Sequence, residues 1–269
     1  MNKTKIEWCD MTWNPVTGCL YGCEYCYARK IARRYEGCWD GDENVKITYR
    51  QSDSPKEVSG YEFGGLGYKY CVGNDKRGEP KLINAPYPYG FHPTLQKHRL
   101  ETGLVKYKKP KNIFVGSMTD LFGKWVPDKW IKQVFEACIK APQHRYLFLT
   151  KNPDRYDAFF RCWEAPENFW FGTSINHSER DYYRAGMNNT FLSIEPIQSD
   201  FNCDCWTDTD WVIIGAETGN RKGKIIPKKE WIENIVNYCK EKNVPVFMKN
   251  SLKDIWQEPL IQEFPWRDV

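Results

Sequence analysis

Residues Asn14–Arg34 read NPVTGCLYGCEYCYARKIARR, and this stretch is the most informative part of the chain. It holds Cys19, Cys23 and Cys26 at the spacing C-x3-C-x2-C, with Tyr25 before the last cysteine and an arginine-rich run after it. Thiolates this close in sequence can bind one metal centre without help from a distant part of the chain. The stretch therefore predicts a local metal centre, and the alternative is three unrelated buried cysteines.

Two kinds of metal centre suit three local cysteines. A structural zinc ion usually takes a fourth Cys or His, commonly from a second pair. The obvious second pair, Cys203 and Cys205, has one intervening residue, which is poor zinc-finger spacing. A 4Fe-4S cluster held by three cysteines leaves one of its irons open to another ligand. The pattern favours this cluster, whose open iron would make the centre reactive rather than structural.

Length, composition and charge narrow the class of protein. The chain has 269 residues and a formal net charge of +4 at pH 7, which is less basic than a dedicated nucleic-acid coat protein. No apolar run approaches the roughly 20 residues of a membrane helix, and the start MNKTKIEWCD lacks the apolar core of a signal peptide. We therefore expect a cytoplasmic protein without a membrane partner, whose cysteines are reduced, metal-bound or buried. Its 12 Trp, 16 Tyr and 14 Phe either fill a core or provide stacking surfaces for bases.

Beyond about residue 110, short apolar runs alternate with longer amphipathic ones, which predicts repeated strand–turn–helix units and parallel strand pairing. The predicted strands are a first one at about Ile6–Trp13 and those in KNIFVGSMTD, HRYLFLTKNP, NFWFGTSIN, TFLSIEP, DWVIIGAETG and VPVFMKN. The predicted helices lie in EYCYARKIARRYEG, PDKWIKQVFEACIKAP, PDRYDAFFRCW, SERDYYRAGM and KKEWIENIVNYCKEKN. Seven strands favour an α/β fold with a partial or complete parallel (β/α) barrel over a doubly wound sheet.

Residues 38–110 interrupt this alternation and are predicted to form an irregular, loop-rich insert within a single domain spanning residues 1–269. They are rich in Gly, Pro, Tyr and charge, with little periodicity beyond a candidate hairpin in SGYEFGGLGYKYCVGNDKRGEP. An insert this long is unusual in a compact domain, so we interpret it as a lid or a substrate platform, the alternative being a plain surface loop. Its candidate stacking and phosphate-binding side chains are Tyr61, Phe63, Tyr68, Tyr70, Tyr87 and Tyr89, with Lys69, Lys76, Arg77 and Lys81.

The cysteine motif resembles the hallmark of the radical S-adenosylmethionine superfamily, C-x3-C-x-aromatic-C, with Tyr25 in the aromatic place. It also stands, as in that superfamily, after a first strand and at the start of a helix. More narrowly, the stretches TWNPVTGCLYGCEYCYA, SMTDLF, LTKNP, SIEP and IIGAETG resemble an uncharacterised group of phage and prophage radical S-adenosylmethionine proteins. The resemblance spans most of the chain outside residues 38–110.

The resemblance implies a barrel of the radical S-adenosylmethionine type and an enzyme that uses a 4Fe-4S cluster and S-adenosylmethionine. The reduced cluster would cleave S-adenosylmethionine to a 5′-deoxyadenosyl radical, which abstracts hydrogen from the substrate, and the partner would be a one-electron reductant of flavodoxin or ferredoxin type. The favoured substrate is a nucleic-acid base or nucleotide. The alternatives are a peptide or small-molecule substrate, or a non-catalytic iron–sulfur or zinc protein that binds nucleic acid.

Polar residues follow successive predicted strands, and in a parallel barrel the loops after the strands form the active site. The predicted cofactor-binding residues are Ser117, Thr119, Asp120, Lys151, Thr173, Ser174, Glu195 and Glu217, with Lys249 and Asn250 ending the last strand. In the resembled superfamily the turn after the second strand contacts the amino group of S-adenosylmethionine, often through Gly-Gly-Glu. Here Ser117, Thr119 and Asp120 offer other acceptors; the alternative for Asp120 is a turn cap.

Arg29 and Arg33 share one helix face and either bind phosphate, tune the cluster's charge or face solvent.

Overall fold

The computed structural model describes residues 1–35, 46–50, 57–63, 69–74, 76–84, 86–87, 89–101, 103–160, 164–178, 189–203, 206 and 209–266. The chain divides into two compact units, each of which combines two pieces of sequence. Unit 1 comprises Met1–Thr4 and Met11–His144, and unit 2 comprises Lys5–Asp10 and Arg145–Val269. None of the described helices is long and apolar enough to cross a membrane.

The described part of unit 1 contains short strands and three helices. The strands are β1 (Asn2–Lys3), β2 (Met11–Trp13), β3 (Val16–Thr17), β4 (Lys46–Arg50), β5 (Glu57–Phe63), β6 (Lys69–Asn74), β7 (Pro80–Asn84), β8 (Thr94–Gln96) and β9 (Asn112–Val115). The helices are α1 (Tyr27–Arg34), α2 (Lys97–Glu101) and α3 (Asp128–Ile139). β2 pairs with β9 in parallel, and β1 pairs with β2 in antiparallel orientation. The turns that follow β2 and β9 therefore lie at the same edge of the sheet.

The segment 38–110 has more regular structure than its sequence predicted. β3, β8, β5 and β4 form a four-stranded sheet in that order, and β6 pairs with β7 as an antiparallel hairpin. The hairpin lies at the end of the stretch in which one was expected. The other strands lack a long apolar alternation, so no local pattern marked them as strands, and β8 pairs with β3 and β5, which are distant from it in sequence. The predicted role as a lid or substrate platform stays a prediction.

Helix α3 shows how periodicity positions an element in unit 1. Trp130, Ile131, Val134, Phe135 and Cys138 recur at helical spacing, and all five are buried. Burying one such side chain fully contributes about 1.5–3 kcal/mol. The predicted helix is therefore confirmed, and its apolar face holds it against the rest of unit 1.

Unit 2 is a parallel sheet with helices in its connections. Its strands are β10 (Arg145–Thr150), β11 (Phe169–Ile175), β12 (Thr190–Ile194), β13 (Trp211–Ile214) and β14 (Val246–Met248). Its helices are α4 (Asp154–Phe160), α5 (Lys229–Glu241) and α6 (Lys253–Trp256), with a 3-10 turn at Asn250–Leu252. Successive strands are parallel neighbours from β10 to β14. Every residue of β11 and β12 is buried, as expected for central strands covered on both faces.

The structure confirms the predicted strands and those predicted helices that lie within the described residues. The seven predicted strands correspond to β2 and to β9 through β14, and the predicted parallel pairing holds within each unit. Of the predicted helices, the one in SERDYYRAGM lies outside the described residues except for Ser178. The chain is thus a mixed α/β protein built largely on parallel strands. In unit 2 the loops after the five parallel strands lie at one edge of the sheet, because the strands run in the same direction.

Candidate functional site

The three cysteines of the motif lie on a loop between β3 and α1, here called the cysteine loop (residues 18–26). Its first residue, Gly18, is buried with a φ of 89°. The Gly18 N–H donates to the carbonyl oxygen of Met118 at 2.9 Å, and the Cys19 N–H donates to the carbonyl oxygen of Phe91 at 3.2 Å. The start of the cysteine loop is therefore held between two segments that are far from it in sequence.

One of these segments is the turn after β9, here called the GSMTD turn (residues 116–120), which contains three predicted cofactor-binding residues. The Gly116 N–H donates to the carbonyl oxygen of Trp13 at 2.9 Å, and the Thr119 N–H closes the turn on the Gly116 oxygen at 3.0 Å. The Thr119 hydroxyl donates to the carbonyl oxygen of Gly18 at 2.6 Å. The structure thus brings the GSMTD turn directly against the cysteine loop.

Asn14 fixes the GSMTD turn and was not singled out by the sequence. Its Oδ1 accepts from the Met118 N–H at 2.9 Å and from the Ser117 hydroxyl at 3.2 Å. The Tyr27 hydroxyl, from the start of α1, donates to the carbonyl oxygen of Ser117 at 2.7 Å. The only signal in the sequence was a polar residue between two short apolar strands, and that residue is buried.

The thiols lie near the N-terminus of α1. The Cys26 Sγ accepts from the Arg29 backbone N–H at 3.4 Å, so Cys26 caps the helix, and the Arg29 guanidinium donates to the Cys19 carbonyl oxygen at 3.4 Å. The pKa of the Cys19 thiol is raised to about 12, chiefly by burial and also by the charges of Asp120 and of the other two cysteines. The thiols are thus close enough to interact electrostatically.

The three thiols are the donor type that an iron–sulfur cluster takes. All three thiols are half-buried on the cysteine loop, and Cys26 is the N-cap residue of α1, where backbone N–H groups favour negative charge. Among the described residues, no group of three or more His, Cys, Asp or Glu side chains is arranged to hold a bare metal ion. Thiolates at separate corners of a cluster stand further apart than those around a single ion, so this finding bears on a compact zinc site rather than on a cluster.

Asp120 has the structural role that the sequence left as an alternative. It is buried, and its Oδ1 accepts from the Phe122 N–H at 3.1 Å while its carbonyl oxygen accepts from the Gly123 N–H at 3.1 Å. It therefore caps the turn that follows β9. Its charge nevertheless contributes to the raised pKa of Cys19, which places it close to the cysteine loop.

The second segment against the cysteine loop comes from residues 38–110. Tyr61 and Tyr89 stack with their ring centroids 4.1 Å apart and their planes 11° apart, and His92 meets Tyr61 edge-on at 6.0 Å. The Arg29 guanidinium lies 5.5 Å from the centre of the Phe91 ring. Two predicted stacking residues therefore form an aromatic cluster beside the segment that binds Cys19.

The remaining predicted platform residues are only partly placed. Lys76 and Arg77 are exposed, and Tyr87 is half-buried with a pKa raised by burial. Tyr68 lies outside the described residues, as do the side chains of Phe63, Lys69, Tyr70 and Lys81.

In unit 2, the residues that end β10 and β11 come together. The Lys151 ammonium donates to the Ser174 hydroxyl at 3.3 Å. Thr173 is buried as well, but as the neighbouring strand residue it points to the opposite face of the sheet from Ser174. Further along, the Asn176 amide donates to the Gln198 Oε1 at 2.6 Å, while the Asn176 Oδ1 is buried without a partner in the described part of the chain. This edge of the sheet therefore presents a hydrogen-bond acceptor that a ligand or water could satisfy.

Glu195 and Lys249 form an ion pair across the ends of β12 and β14. The Lys249 Nζ lies 2.6 Å from the Glu195 Oε1, and the Ser193 hydroxyl donates to the other carboxylate oxygen at 3.4 Å. Burial alone would lower the pKa of Lys249, but the charge and hydrogen bond of Glu195 outweigh it and raise that pKa. A Cβ at Gly215 would lie 2.8 Å from the Glu195 Oε1, so glycine leaves the space that the pair occupies.

Glu217 is committed to a partner that the sequence did not reveal. The Arg221 guanidinium donates to both of its carboxylate oxygens, at 2.7 and 2.8 Å, and only 4% of the Glu217 side chain is exposed. The pair closes the loop after β13. Its spacing of four residues is the one signal that could have suggested the contact.

A comparison with protein families places these residues in a known group. The family model described as "Protein of unknown function (DUF5131)" matches residues 3–62 and 68–257. The chain belongs to this family. The DUF5131 match includes the cysteine loop, the GSMTD turn and all five strand ends of unit 2. No curated protein and no solved structure matches the chain.

Proposed function

We propose that the chain is a radical S-adenosylmethionine enzyme whose 4Fe-4S cluster is bound by Cys19, Cys23 and Cys26. The observation that carries the proposal is the direct bonding of the cysteine loop to the GSMTD turn, through the Thr119 hydroxyl and the Gly18 carbonyl oxygen at 2.6 Å. This bond joins the predicted metal ligands to predicted cofactor-binding residues 101 positions away in the chain. A cofactor that binds an open iron needs both sets of groups side by side.

We propose the corresponding finer fold, a partial parallel (β/α) barrel of the radical S-adenosylmethionine type. Its support is the parallel pairing of β10 through β14 and of β2 with β9. The predicted polar residues follow those strands, where a barrel places its active site.

The cofactors would supply the radical chemistry. When bound, the reduced cluster and S-adenosylmethionine would give a 5′-deoxyadenosyl radical that removes hydrogen from the substrate, with the electron coming from a flavodoxin- or ferredoxin-type partner. The chain itself holds and polarises the site. Cys26 is the N-cap residue of α1, and its Sγ accepts from the Arg29 backbone N–H at 3.4 Å, so the start of the helix holds this proposed ligand in place. Arg29 adds positive charge and pins the Cys19 carbonyl group.

The strand-end residues of unit 2 divide into two roles in this proposal. Lys151, Ser174 and Glu195 are proposed to contact cofactor or substrate, since their polar groups lie at one edge of the sheet. Thr173, predicted for the same role, faces the other side of β11 from Ser174. Glu217 is proposed to position the loop after β13, because Arg221 already occupies both of its carboxylate oxygens.

We propose a nucleic-acid base or nucleotide as substrate. The support is the aromatic cluster of Tyr61, Tyr89 and His92, which adjoins the segment bonded to Cys19. Stacking of a base on such a surface contributes about 1–3 kcal/mol. A peptide or small-molecule substrate would use the polar strand ends without the aromatic cluster.

Anaerobic reconstitution tests the proposal. The wild-type chain should take up iron and sulfide, turn brown, and release 5′-deoxyadenosine when dithionite and S-adenosylmethionine are added. Cys19→Ala, Cys23→Ala and Cys26→Ala should each lose the cluster. Cys9→Ala is the matched control, because Cys9 is also a half-buried cysteine outside any disulfide but lies outside the motif.

Two results would contradict the assignment. A triple-alanine variant that keeps the wild-type iron content would remove the cysteines as ligands. A wild-type chain that binds zinc or a cluster and never cleaves S-adenosylmethionine would favour a non-catalytic metal protein instead.

A further inference from the structure

The loop between β13 and α5 carries charge that the proposed radical chemistry does not use. We call residues 218–229, TGNRKGKIIPKK, the basic loop. Its cations are Arg221, Lys222, Lys224, Lys228 and Lys229. No acidic residue occurs between Glu217 and Glu230. Arg221 is paired with Glu217 and Lys229 with Glu258, which leaves Lys222, Lys224 and Lys228 without an ion pair among the described residues.

The basic loop is held in one conformation by its own bonds. Arg221 is bound to both oxygens of the buried Glu217 carboxylate, and the Lys224 ammonium donates to the Gly219 carbonyl oxygen at 2.9 Å. The Lys224 N–H also donates to the Arg221 carbonyl oxygen at 3.3 Å. Arg221 and Lys224 therefore stabilise the conformation of the loop, whereas Lys222 and Lys228 are exposed on its surface.

The same loop exposes large apolar side chains. Ile226 is 66% exposed and Ile225 is 37% exposed, while Lys222 and Lys228 are also exposed. The Lys228 ammonium lies 5.7 Å from the centre of the Trp231 ring. Exposed isoleucines in a loop of fixed shape, next to uncompensated cations, indicate a surface that another molecule covers.

We propose that the basic loop binds nucleic acid, with Lys222 and Lys228 on phosphates and Ile225 and Ile226 against bases. Cations on phosphates supply sequence-independent affinity, and the exposed isoleucines offer apolar surface for the faces of unpaired bases. The loop begins at the carboxyl end of β13, so it leaves the same edge of unit 2 as Lys151 and Glu195. This inference rests on the proposed function for its choice of a nucleic acid, but the binding itself requires neither the cluster nor S-adenosylmethionine.

Fluorescence anisotropy on the reconstituted full chain tests this inference. The probes are a labelled DNA strand of about 20 nucleotides, longer than most single-strand sites, the matching RNA strand and the duplex, each titrated between about 50 and 200 mM salt. Lys222→Glu with Lys228→Glu should weaken single-strand binding about tenfold or more. The double variant should also make the fall of the logarithm of the association constant with the logarithm of salt concentration shallower by about 1.4, since each of the two lost phosphate contacts removes about 0.7 from that slope.

Matched variants separate the basic loop from general charge. Lys108→Glu with Lys132→Glu makes the same change in net charge at two exposed lysines of unit 1 and should leave binding near the wild-type value. Ile226→Ser should weaken binding without changing the salt slope. Lys222→Gln with Lys228→Gln is a milder pair that gives a smaller loss in the same direction if the reversed charges disturb folding, which circular dichroism and thermal melts report.

Three outcomes would overturn the inference. The first is that the wild-type chain binds no oligonucleotide at low salt. The second is that the loop variants and the control variant lose the same oligonucleotide affinity. The third is that poly-glutamate at equal charge concentration displaces the oligonucleotide, which would indicate a site for acidic protein. Assaying 5′-deoxyadenosine on the same samples keeps the two proposals distinguishable. Loop-dependent binding without S-adenosylmethionine cleavage would refute only the proposed function, and cleavage without loop-dependent binding would refute only this inference.

Discussion

Replacing Gly18 by alanine should separate the cysteine loop from the segment that precedes β8. A Cβ at Gly18 would lie 2.1 Å from the carbonyl oxygen of His92 and 2.8 Å from the nitrogen of Pro93. Both are backbone atoms, so no rotamer change can relieve the contact. Gly22→Ala is the matched control. Gly22 lies in the same loop with a φ of 74°, and a Cβ there meets nothing within 4 Å.

Alanine at either glycine would have an unfavourable backbone conformation, but only alanine at Gly18 would also clash with a neighbouring segment. A non-glycine residue in the left-handed region costs about 1–2 kcal/mol, and Gly18, with its φ of 89°, has a similar conformational cost. Only Gly18→Ala also forces the backbone at His92 and Pro93 to move, and an enforced shift in a packed region costs about 1–3 kcal/mol more. That shift strains the bonds from Cys19 to Phe91 and from Tyr61 to Pro93, at 3.2 and 2.9 Å. We expect a total loss of about 2–5 kcal/mol for Gly18→Ala and about 1–2 kcal/mol for Gly22→Ala.

Urea unfolding of the chain without metal measures the two losses, and anaerobic reconstitution measures the iron that each variant retains. Gly18→Ala should unfold at clearly lower urea than Gly22→Ala and should bind less iron. If the two variants lie within about 0.5 kcal/mol of each other, the threshold below which separate effects are hard to resolve, the packing of the cysteine loop against residues 91–93 is not as described.

Three further predictions follow from contacts elsewhere in the two units. Lys249→Met leaves the Glu195 carboxylate without its partner at 2.6 Å and should lower the free energy of unfolding by about 1–3 kcal/mol, below the range for fully buried pairs because both side chains are partly exposed. Since the folded chain raises the pKa of Lys249, this difference should be full from neutral pH up to about 10.4 and shrink as the pH rises further through the folded pKa; a difference that grows there would contradict it. Asn14→Ala should cost about 1–3 kcal/mol by leaving the buried Met118 N–H unpaired, with Asn14→Asp as the control that keeps the acceptor; equal thermal melts for the two variants would contradict this role. Glu217→Gln should speed amide hydrogen exchange in the basic loop, because glutamine cannot accept both Arg221 bonds, and unchanged exchange would show that the pair does not order it.

The sequence predicted the strands that carry short continuous apolar runs, and the structure explains why. FWFGTSI and TFLSI became β11 and β12, whose residues are all buried, so their apolar character was needed on both faces. α3 was equally readable, because its buried residues recur with the helical period. By contrast, β4 and β5 pair through backbone bonds between segments with mixed polarity, and no local pattern marks that pairing.

The candidate site was predictable as a set of residues but not as a set of bonds. The cysteine spacing and the polar strand ends identified Cys19, Thr119, Lys151 and Glu195 from local sequence alone. Their partners lie far away in the chain, and single polar residues such as Asn14 have no local signature of the bond they make. The role of Gly215 could be recognised only after the Glu195–Lys249 ion pair was known, because the absence of a Cβ at Gly215 leaves room for that pair.

The direction of the hydrogen bonds in the GSMTD turn restricts what it can bind. The Ser117 hydroxyl donates its proton to Asn14 Oδ1, which must be an acceptor because the Met118 N–H also points at it. The Thr119 hydroxyl donates its proton to a carbonyl oxygen, which can only accept. Each hydroxyl has one proton but two lone pairs, so toward any further ligand both oxygens are acceptors. A carboxylate would gain nothing from them, whereas an ammonium group would find two acceptors beside the cysteine loop, together with the charge of Asp120 near Cys19. Under the proposed function, the turn would therefore receive the amino end of S-adenosylmethionine, with these hydroxyl acceptors in place of the Gly-Gly-Glu sequence of the superfamily that the cysteine motif resembles.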